Sequence, residues 1–326
     1  MNPEKEYHVV SPPSIKILSL NVACLPFPIT TSCCSRITKI CKQVISNNID
    51  IVCFQECFDK RCQTIISEMF METHPYQILH QRYCAPGVLD WINWLEDSGL
   101  VAVSRYPITG QHFVPFKNIK GLDALCWKGI LGFSVKFSEK NSLMVFNTHL
   151  NSDEQFSGKK NLSKMRTLEL EEIVSFIVSE TVKYDICPPV IACGDFNITE
   201  VGKEYTTMMD KYGFGDVWRN EFPDKDVNPG YTWDGIRNRN MIHTQNRNRI
   251  DYFLDIFKNI EFEKDGCKLF IPGTEPNECL SDHFGVVCEI TTSSLKESKL
   301  QIKECITEPF NIFSFFARIL LINIQV

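Results

Sequence analysis

The sequence is organised around one short stretch, Cys193-Gly194-Asp195-Phe196-Asn197. The apolar run 189–192 just before it predicts a buried strand that ends at the glycine. Because residues two apart on an extended backbone point the same way, Asp195 and Asn197 are expected to leave the strand tip together. A carboxylate can hold a metal ion or accept a proton, and an amide can donate to a phosphoryl oxygen. Asp and Asn after glycine are also common in turns, and the stretch alone leaves that alternative open.

Other predicted strands end in polar residues in the same way. Apolar and alternating runs predict strands over 15–20, 49–54, 99–105, 129–137, 143–150, 250–257 and 284–290, and helical periodicity predicts helices over 36–48, 58–70, 159–183 and near 200–211. The strand tips carry Asn21, Glu56, His149, Asp251 and the pair Asp282-His283. Strand, helix and strand with polar tips at their carboxyl ends favour an α/β fold with a site at one sheet edge.

Composition limits the classes of function. The chain has 326 residues, 44% of them apolar, and a formal net charge of −6. This is enough for one large domain or two small ones. No basic surplus indicates non-specific binding of nucleic acid, although a local basic strip could still serve a DNA substrate.

The cysteines and the N-terminal residues indicate in which cellular compartment the protein is expected. The fifteen cysteines are scattered without a Cys-x-x-Cys pair, so the sequence indicates neither a zinc knuckle nor a redox dithiol. Several, such as Cys53, Cys193 and Cys288, lie within apolar runs and are typical of small buried hydrophobes. Residues 1–14 are polar and contain three prolines, which does not match a signal peptide. We therefore expect an intracellular protein with reduced thiols.

The two ends of the chain differ from its centre. We expect a flexible N-terminus over 1–14, a single domain over 15–291, a polar linker over 292–308 and an apolar C-terminal segment over 309–326. That last segment is short for a bilayer-spanning helix and carries Arg318 near its centre. It suits either a helix in the membrane interface or one docked on its own domain.

An aromatic cluster lies between the second and third predicted strands. Trp91 and Trp94 belong to a run of apolar bulk within 88–95. One interpretation is a helix packed on the core. The other is an exposed patch that contacts a lipid surface.

The ordered polar tips resemble one known family. The motifs are Leu20-Asn21, Gln55-Glu56, Thr148-His149-Leu150, Gly194-Asp195-Phe196-Asn197, Arg249-Ile250-Asp251-Tyr252 and Ser281-Asp282-His283. Together they are similar to those of the endonuclease/exonuclease/phosphatase superfamily, whose fold is that of pancreatic deoxyribonuclease. The resemblance implies an α/β, four-layer sandwich of two mostly antiparallel sheets flanked by helices. It also implies a metal-dependent phosphodiesterase, whereas loss of Glu56 or His283 would have indicated a non-catalytic member.

The chemistry of these residues can be argued beside the resemblance. Glu56 is a hard oxygen ligand suited to Mg²⁺, with Mn²⁺ as a substitute. The adjacency of Asp282 and His283 predicts a carboxylate that fixes the tautomer of the imidazole and raises its basicity. The resemblance further implies that Asn21 supports the metal side.

Roles for the remaining tips also come from the resemblance. It implies that Asn197 holds a phosphoryl oxygen, that His149 stabilises charge opposite His283, and that Asp251 joins the histidine network. Asp195 would orient or deprotonate the attacking water. Whether Asp195 or His283 is the general base stays open.

Within the superfamily the sequence is most similar to the neutral-sphingomyelinase-like branch. The stretches 97–108 and Asn147-Thr148-His149-Leu150-Asn151 carry this similarity. It implies a monomeric phospholipase C that releases phosphocholine from a membrane phospholipid or sphingolipid, with membrane contact through Trp91, Trp94 and 309–326. The alternatives are a deoxyribonuclease-like or DNA-repair phosphodiesterase acting on nucleic acid and a non-catalytic lipid or protein binding module.

Overall fold

The computed structural model describes residues 12–25, 32–79, 97–119, 123, 126–138, 141–153, 162–184, 187–241, 244–273 and 278–295. Trp91, Trp94 and the segment 309–326 lie outside these ranges, so their contacts stay predictions, as do the domain and linker bounds. Within the described ranges, no helix has both the length and the hydropathy needed to cross a bilayer.

The described residues form fourteen strands and five α-helices. The strands are β1 (Ser14–Cys24), β2 (Ile51–Cys57), β3 (Tyr76–Ile78), β4 (Val101–Ser104), β5 (Ile108–Pro115), β6 (Gly129–Lys136), β7 (Ser142–His149), β8 (Val190–Asp195), β9 (Gly215–Asp216), β10 (Trp233–Asp234), β11 (Arg247–Asn248), β12 (Asp251–Asp255), β13 (Lys268–Phe270) and β14 (Gly285–Thr291). The helices are α1 (Cys33–Ser46), α2 (Lys60–Phe70), α3 (Ser163–Thr181), α4 (Lys203–Thr206) and α5 (Val217–Glu221).

Two six-stranded sheets make up most of the structure. One has the order β13-β14-β1-β2-β4-β3, and the other has the order β5-β6-β7-β8-β12-β9. All neighbours pair antiparallel except β1 with β2 and β7 with β8, the central pair of each sheet. The predicted fold class, two mostly antiparallel sheets flanked by helices, is confirmed.

Three apolar clusters separate the layers. The middle cluster joins side chains of both sheets, such as Ile17 and Cys53 from one and Val145 and Cys193 from the other. A second packs α3 on the outer face of one sheet, and a third packs α1 and α2 on the outer face of the other. Because strand side chains alternate between faces, each sheet can be buried on both faces at once, which produces four layers.

His74 is a buried titratable group away from the strand tips. Its Nε2 donates to the Ile49 carbonyl oxygen over 2.9 Å, and the Thr73 hydroxyl lies 2.9 Å from its Nδ1. The neutral ring therefore has a partner at each nitrogen. Burial disfavours the charged ring and lowers its pKa to about 4.

We expect this histidine to make the protein less stable in acid. The unfolded ring, with a pKa near 6.5, takes up a proton as the pH falls from 6.5 towards 4, whereas the native ring does not. The native state should lose at most about 3 kcal/mol over that window, and His74→Gln should remove most of this loss. Urea unfolding at pH 7 and pH 5 measures it. The exposed His112 provides the control His112→Gln, and an equal effect of both variants would contradict the prediction.

Candidate active site

Polar residues from both sheets meet at one edge of the sandwich. Asn21 and Glu56 come from the central pair β1 and β2, and His149 and Asp195 end the central pair β7 and β8. The Asn21 amide donates to Glu56 Oε1 and to Asp195 Oδ2, both over 3.0 Å. Because parallel neighbours finish at the same edge, the two pairs bring these four side chains together.

Two residues at this edge, Glu56 and Asn197, have an unusual backbone conformation with a positive φ. Glu56 has a φ of 55° and Asn197 a φ of 51°, in the left-handed region that non-glycine residues rarely adopt. Each such residue costs about 1–3 kcal/mol and persists where the surrounding structure enforces it. The end of β2 and the turn after β8 are therefore held in a form that directs these side chains, which is common at functional sites.

Three ligand atoms converge at the centre of the site. Glu56, His149 and Asp195 each offer one, and these atoms lie within 4.8 Å of one another. Burial raises the pKa of Glu56, and the charge of nearby Asp282 raises it further. Burial and the Asp251 charge raise the pKa of Asp195 to about 7. Two carboxylates that are costly to ionise together form a site that a divalent cation would stabilise, and its oxygen-rich donors suit a hard cation. The residues present therefore fit a metal ion.

His283 is paired with a carboxylate from another strand. Its Nδ1 lies 2.9 Å from Asp251 Oδ2, and its Nε2 lies 3.7 Å from Asp195 Oδ2. Burial opposes the charge on this ring, but the carboxylates of Asp251 and Asp195 outweigh burial and hold its pKa well above the ordinary value. The ring is thereby fixed with Nδ1 towards Asp251 and Nε2 towards the centre of the site.

The carboxylate that bonds to the His283 ring is not the predicted Asp282, although the Asp282 charge helps to raise the pKa of that ring. The carboxylate on the imidazole is Asp251, which β12 places opposite Asp195 in the sheet register. Consecutive side chains leave the backbone in different directions, so Asp282 does not reach the ring that follows it. Asp282 is instead partly exposed near the Ser281 hydroxyl, and its charge acts on Glu56.

Asn197, which was predicted to bind a phosphoryl oxygen, makes hydrogen bonds to neighbouring residues of the protein. Its amide nitrogen donates to the Leu150 carbonyl oxygen over 3.0 Å, and its backbone N–H donates to Asp195 Oδ1 over 2.9 Å. These bonds tie the turn after β8 to the end of β7 and orient the Asp195 carboxylate. The contact with a phosphoryl oxygen stays a prediction.

The motif around Asp251 is held by buried ion pairs. The Arg249 guanidinium makes two hydrogen bonds to Asp216, of 3.0 and 2.5 Å, and lies 4.6 Å from the centre of the Tyr252 ring. The Thr232 hydroxyl accepts from the Asp251 backbone N–H over 3.2 Å. Arg249 and Tyr252 thus fix the start of β12, while Asp251 between them faces the site.

Lys128 is a site residue that the sequence analysis missed. It is 2% exposed, and its ammonium group donates to His149 Nε2 over 3.0 Å and to the Leu150 carbonyl oxygen over 2.9 Å. Asp123 pairs with it at 3.0 Å. Burial disfavours the Lys128 charge, but its acidic neighbours, of which Asp123 acts most strongly, together outweigh burial and raise the lysine pKa. The one signal in the sequence is a lone lysine directly before the apolar strand β6.

This lysine also determines the state of His149. Burial, the Lys128 charge and the His283 charge lower the pKa of His149 far below its ordinary value. An ammonium group can only donate, so His149 Nε2 accepts and its proton stays on Nδ1. His149 is therefore neutral at pH 7, and the Nε2 atom that accepts from Lys128 is also the one that faces Glu56 and Asp195, at 3.7 and 3.6 Å.

Replacing Lys128 should destabilise the protein. Lys128→Met leaves Asp123 and the Leu150 carbonyl without their buried cation, and we expect a loss of about 3 kcal/mol in the free energy of unfolding. Chemical denaturation measures it. The exposed Lys183, paired with Glu180, supplies the control Lys183→Met, for which we expect a loss below about 1 kcal/mol. Similar losses for both variants would contradict the buried ion pair.

The amino-acid sequence is similar to those of bacterial phospholipases and sphingomyelinases. No established family profile matches the sequence. The chain is 27% identical to a phospholipase C of Staphylococcus aureus over 181 residues, which cover 53% of each protein. It is 24% identical to a sphingomyelinase C of Leptospira interrogans over 234 residues, 69% of this chain and 36% of the relative. The chain thus spans about half the length or less of these curated relatives.

Solved structures share the fold over most of the chain. Staphylococcus aureus beta toxin with bound magnesium ions superposes with a TM-score of 0.65 and 21% identity, covering 84% of this chain and 99% of the toxin. D. rerio TDP2 in complex with a single-strand DNA product superposes with a TM-score of 0.62 and 21% identity, covering 86% and 99%. The chain therefore shares the fold of beta toxin and TDP2, in agreement with the fold class that the sequence resemblance implied.

Proposed function

We propose that the chain is a Mg²⁺-dependent phosphodiesterase of the phospholipase C type, which releases phosphocholine from a membrane sphingolipid or phospholipid. The observation that carries the proposal is the convergence of Glu56, His149 and Asp195 beside the Asp251–His283 pair. Phosphodiester hydrolysis needs neutralised phosphoryl oxygens, an activated water and a protonated leaving oxygen. The site holds a residue suited to each need.

The metal side of the proposed site consists of Glu56 and Asp195, with neutral His149 beside them. Asn21 orients both carboxylates through its bonded amide. A bound Mg²⁺ would neutralise phosphoryl charge and lower the pKa of water. Lys128 donates to the same His149 Nε2 that faces the two carboxylates, so the imidazole accepts from the lysine and the carboxylates remain the ligands for the ion.

Proton transfer is assigned to Asp195 and His283 acting together. Oδ2 of Asp195 and Nε2 of His283 lie 3.7 Å apart, and their protonation states are coupled by charge. In such a pair, each protonation step is a property of the two residues together and is not assigned to one of them. Asp251 behind the ring accepts from Nδ1 and keeps Nε2 available to the reacting oxygen.

A lipid substrate is supported by two exposed apolar residues on segments that connect to the site. Val201, in the turn region after Asn197, is 88% exposed, and Ile236 is 63% exposed. The loop that carries Ile236 is tied to the site, because the Asn238 amide donates to the Ser281 carbonyl oxygen over 2.9 Å. Exposed apolar side chains at the rim of a site suit contact with a membrane surface. The predicted contacts of Trp91, Trp94 and 309–326 would extend this surface.

The names of the relatives agree with this substrate class. The curated relatives are a phospholipase C and a sphingomyelinase C, whereas TDP2 was solved with a DNA product. A monomeric, intracellular enzyme, as expected from the sequence, stays part of the proposal.

A substrate panel tests the proposal. The full chain with Mg²⁺ is assayed on sphingomyelin vesicles, phosphatidylcholine vesicles, plasmid DNA and an oligonucleotide with a 5′-tyrosyl adduct. We expect the highest kcat/KM on a choline lipid. Faster cleavage of either DNA substrate would overturn the lipid assignment and favour the nucleic-acid alternative, and no cleavage of any substrate would favour a binding module.

A further inference from the structure

Three cysteines from distant parts of the sequence converge on one point. Cys24 lies at the end of β1, Cys33 opens α1, and Cys62 lies in the first turn of α2. All three are fully buried, and their Sγ atoms lie within 4.8 Å of one another. They are 9 and 29 residues apart along the chain, so only the fold brings them together.

A guanidinium group accompanies the three sulfurs. Arg36 Nη2 lies 3.7 Å from Cys33 Sγ and 4.0 Å from Cys24 Sγ. The same side chain donates to the Val22 carbonyl oxygen over 2.8 Å and to the Ala23 carbonyl oxygen over 2.6 Å. Apolar packing of cysteines gives no reason for a cation against two of the sulfurs. A cation 3.7 Å from the Cys33 sulfur favours negative charge on that atom.

We propose that Cys24, Cys33 and Cys62 form a thiolate site for Zn²⁺, separate from the proposed phosphodiesterase centre. Three thiolates are soft ligands that select zinc over magnesium. With Zn–S bonds of about 2.3 Å, tetrahedral coordination separates the sulfurs by roughly 3.8 Å, so the trio needs to contract by no more than about 1 Å. The three thiolates, the zinc ion and Arg36 together carry no net charge, which suits a buried site.

The fourth position of the site has a candidate in the chain. Cys34 is partly exposed and interacts with Cys62, so it stands beside the trio on its accessible side. Either Cys34 or a water molecule completes four-coordination. Among the cysteines that the structure describes, no other three converge in this way, and Cys267 and Cys288, 3.5 Å apart, form a pair.

Zinc at this position would stiffen the end of β1. Arg36 joins the trio to the Val22 and Ala23 carbonyls and to the Leu280 carbonyl just before the Ser281-Asp282-His283 motif. The Ala23 backbone N–H in turn donates to Asn21 Oδ1 over 3.0 Å. The ion would therefore add structural support to the strand that carries Asn21, and it would raise the melting temperature by binding the native state.

Co²⁺ serves as the spectroscopic probe for the site. The full chain, stripped of metal and kept reduced by a phosphine, is titrated with Co²⁺ in excess Mg²⁺, which occupies oxygen-rich sites. We expect one equivalent of Co²⁺ to produce sulfur-to-cobalt charge-transfer absorption and the visible bands of tetrahedral cobalt, and we expect Zn²⁺ to abolish both. Cys62→Ser should weaken Co²⁺ binding by at least about 100-fold.

The control is Cys41→Ser, a change at a buried cysteine on α1 that is not part of the trio. It should leave the cobalt spectrum unchanged. Because Cys62→Ser could unfold the chain, circular dichroism accompanies each titration, and the wild-type spectrum stands as an independent test. A folded wild-type protein without charge-transfer absorption would overturn the proposal, as would an unchanged spectrum in folded Cys62→Ser. Loss of Mg²⁺-dependent hydrolysis alone would leave this result untouched, so the two proposals fail separately.

Discussion

Glu56→Gln is expected to lower kcat on the lipid substrate by about 10³-fold, which corresponds to roughly 4 kcal/mol of transition-state stabilisation. Glu56 is the carboxylate that the strained backbone at the end of β2 directs towards Asp195 and His149. The amide is isosteric but lacks the charge that a hard divalent cation needs from its ligand. The fold should be retained, because burial already disfavours the charged form of this carboxylate and the neutral amide does not carry that cost.

The measurement is the initial rate at saturating substrate over a series of Mg²⁺ concentrations. Glu289→Gln is the matched control, because Glu289 lies on β14 and bonds to the Ser14 hydroxyl, away from the site. The control should keep the wild-type rate. An equally active Glu56→Gln variant would show that this carboxylate is not a ligand.

Asp251→Asn and His283→Ala are expected to lower kcat by similar factors, each roughly 10³- to 10⁴-fold. The physical reason is the 2.9 Å contact between Asp251 Oδ2 and His283 Nδ1, which fixes the tautomer and position of the ring. Since the two side chains act as a unit, the double variant should be little slower than either single variant. Steady-state rates for the four proteins of this cycle measure the coupling.

Asp282 provides the comparison within the same motif. Its carboxylate makes no hydrogen bond to the His283 ring in the described structure, so the free-energy losses of Asp282→Asn and His283→Ala should add. Additive losses for Asp251 and His283, with non-additive losses for Asp282 and His283, would restore the pairing inferred from sequence adjacency.

Much of the fold could be predicted because its core strands are strongly patterned. β1, β2, β7 and β8 are apolar runs that end in polar residues, and the two parallel pairs they form bring Asn21, Glu56, His149 and Asp195 to one edge. Periodicity was sufficient for these buried strands. It was insufficient for β5, an edge strand whose residues are mostly exposed and show no apolar alternation.

The helix predicted near 200–211 shows a similar limit. The chain there forms the four-residue α4 followed by a π-helical turn over Thr207–Lys211. Helical periodicity indicates which face is apolar but does not distinguish a regular helix from a wider turn.

Contacts within the site were harder to predict than its location. Adjacency suggested Asp282 as the partner of His283, whereas the antiparallel pairing of β12 with β8 supplies Asp251. Lys128 could not be found, because its role depends on burial against His149, a residue 21 positions away. The trio of Cys24, Cys33 and Cys62 likewise depends on how α1 and α2 pack on β1. Long-range packing of this kind leaves no periodic trace in a single sequence.

The central claim is that this edge of the sandwich is a metal-dependent phosphodiesterase centre for a choline lipid. The most direct measurement is phosphocholine release from sphingomyelin vesicles by the full chain, with Mg²⁺, with EDTA, and with Mg²⁺ restored in excess. We expect release with Mg²⁺, loss of release with EDTA and recovery when Mg²⁺ is restored. Release that continues unchanged in EDTA, or the absence of phosphocholine from a folded protein that cleaves plasmid DNA under the same conditions, would contradict it.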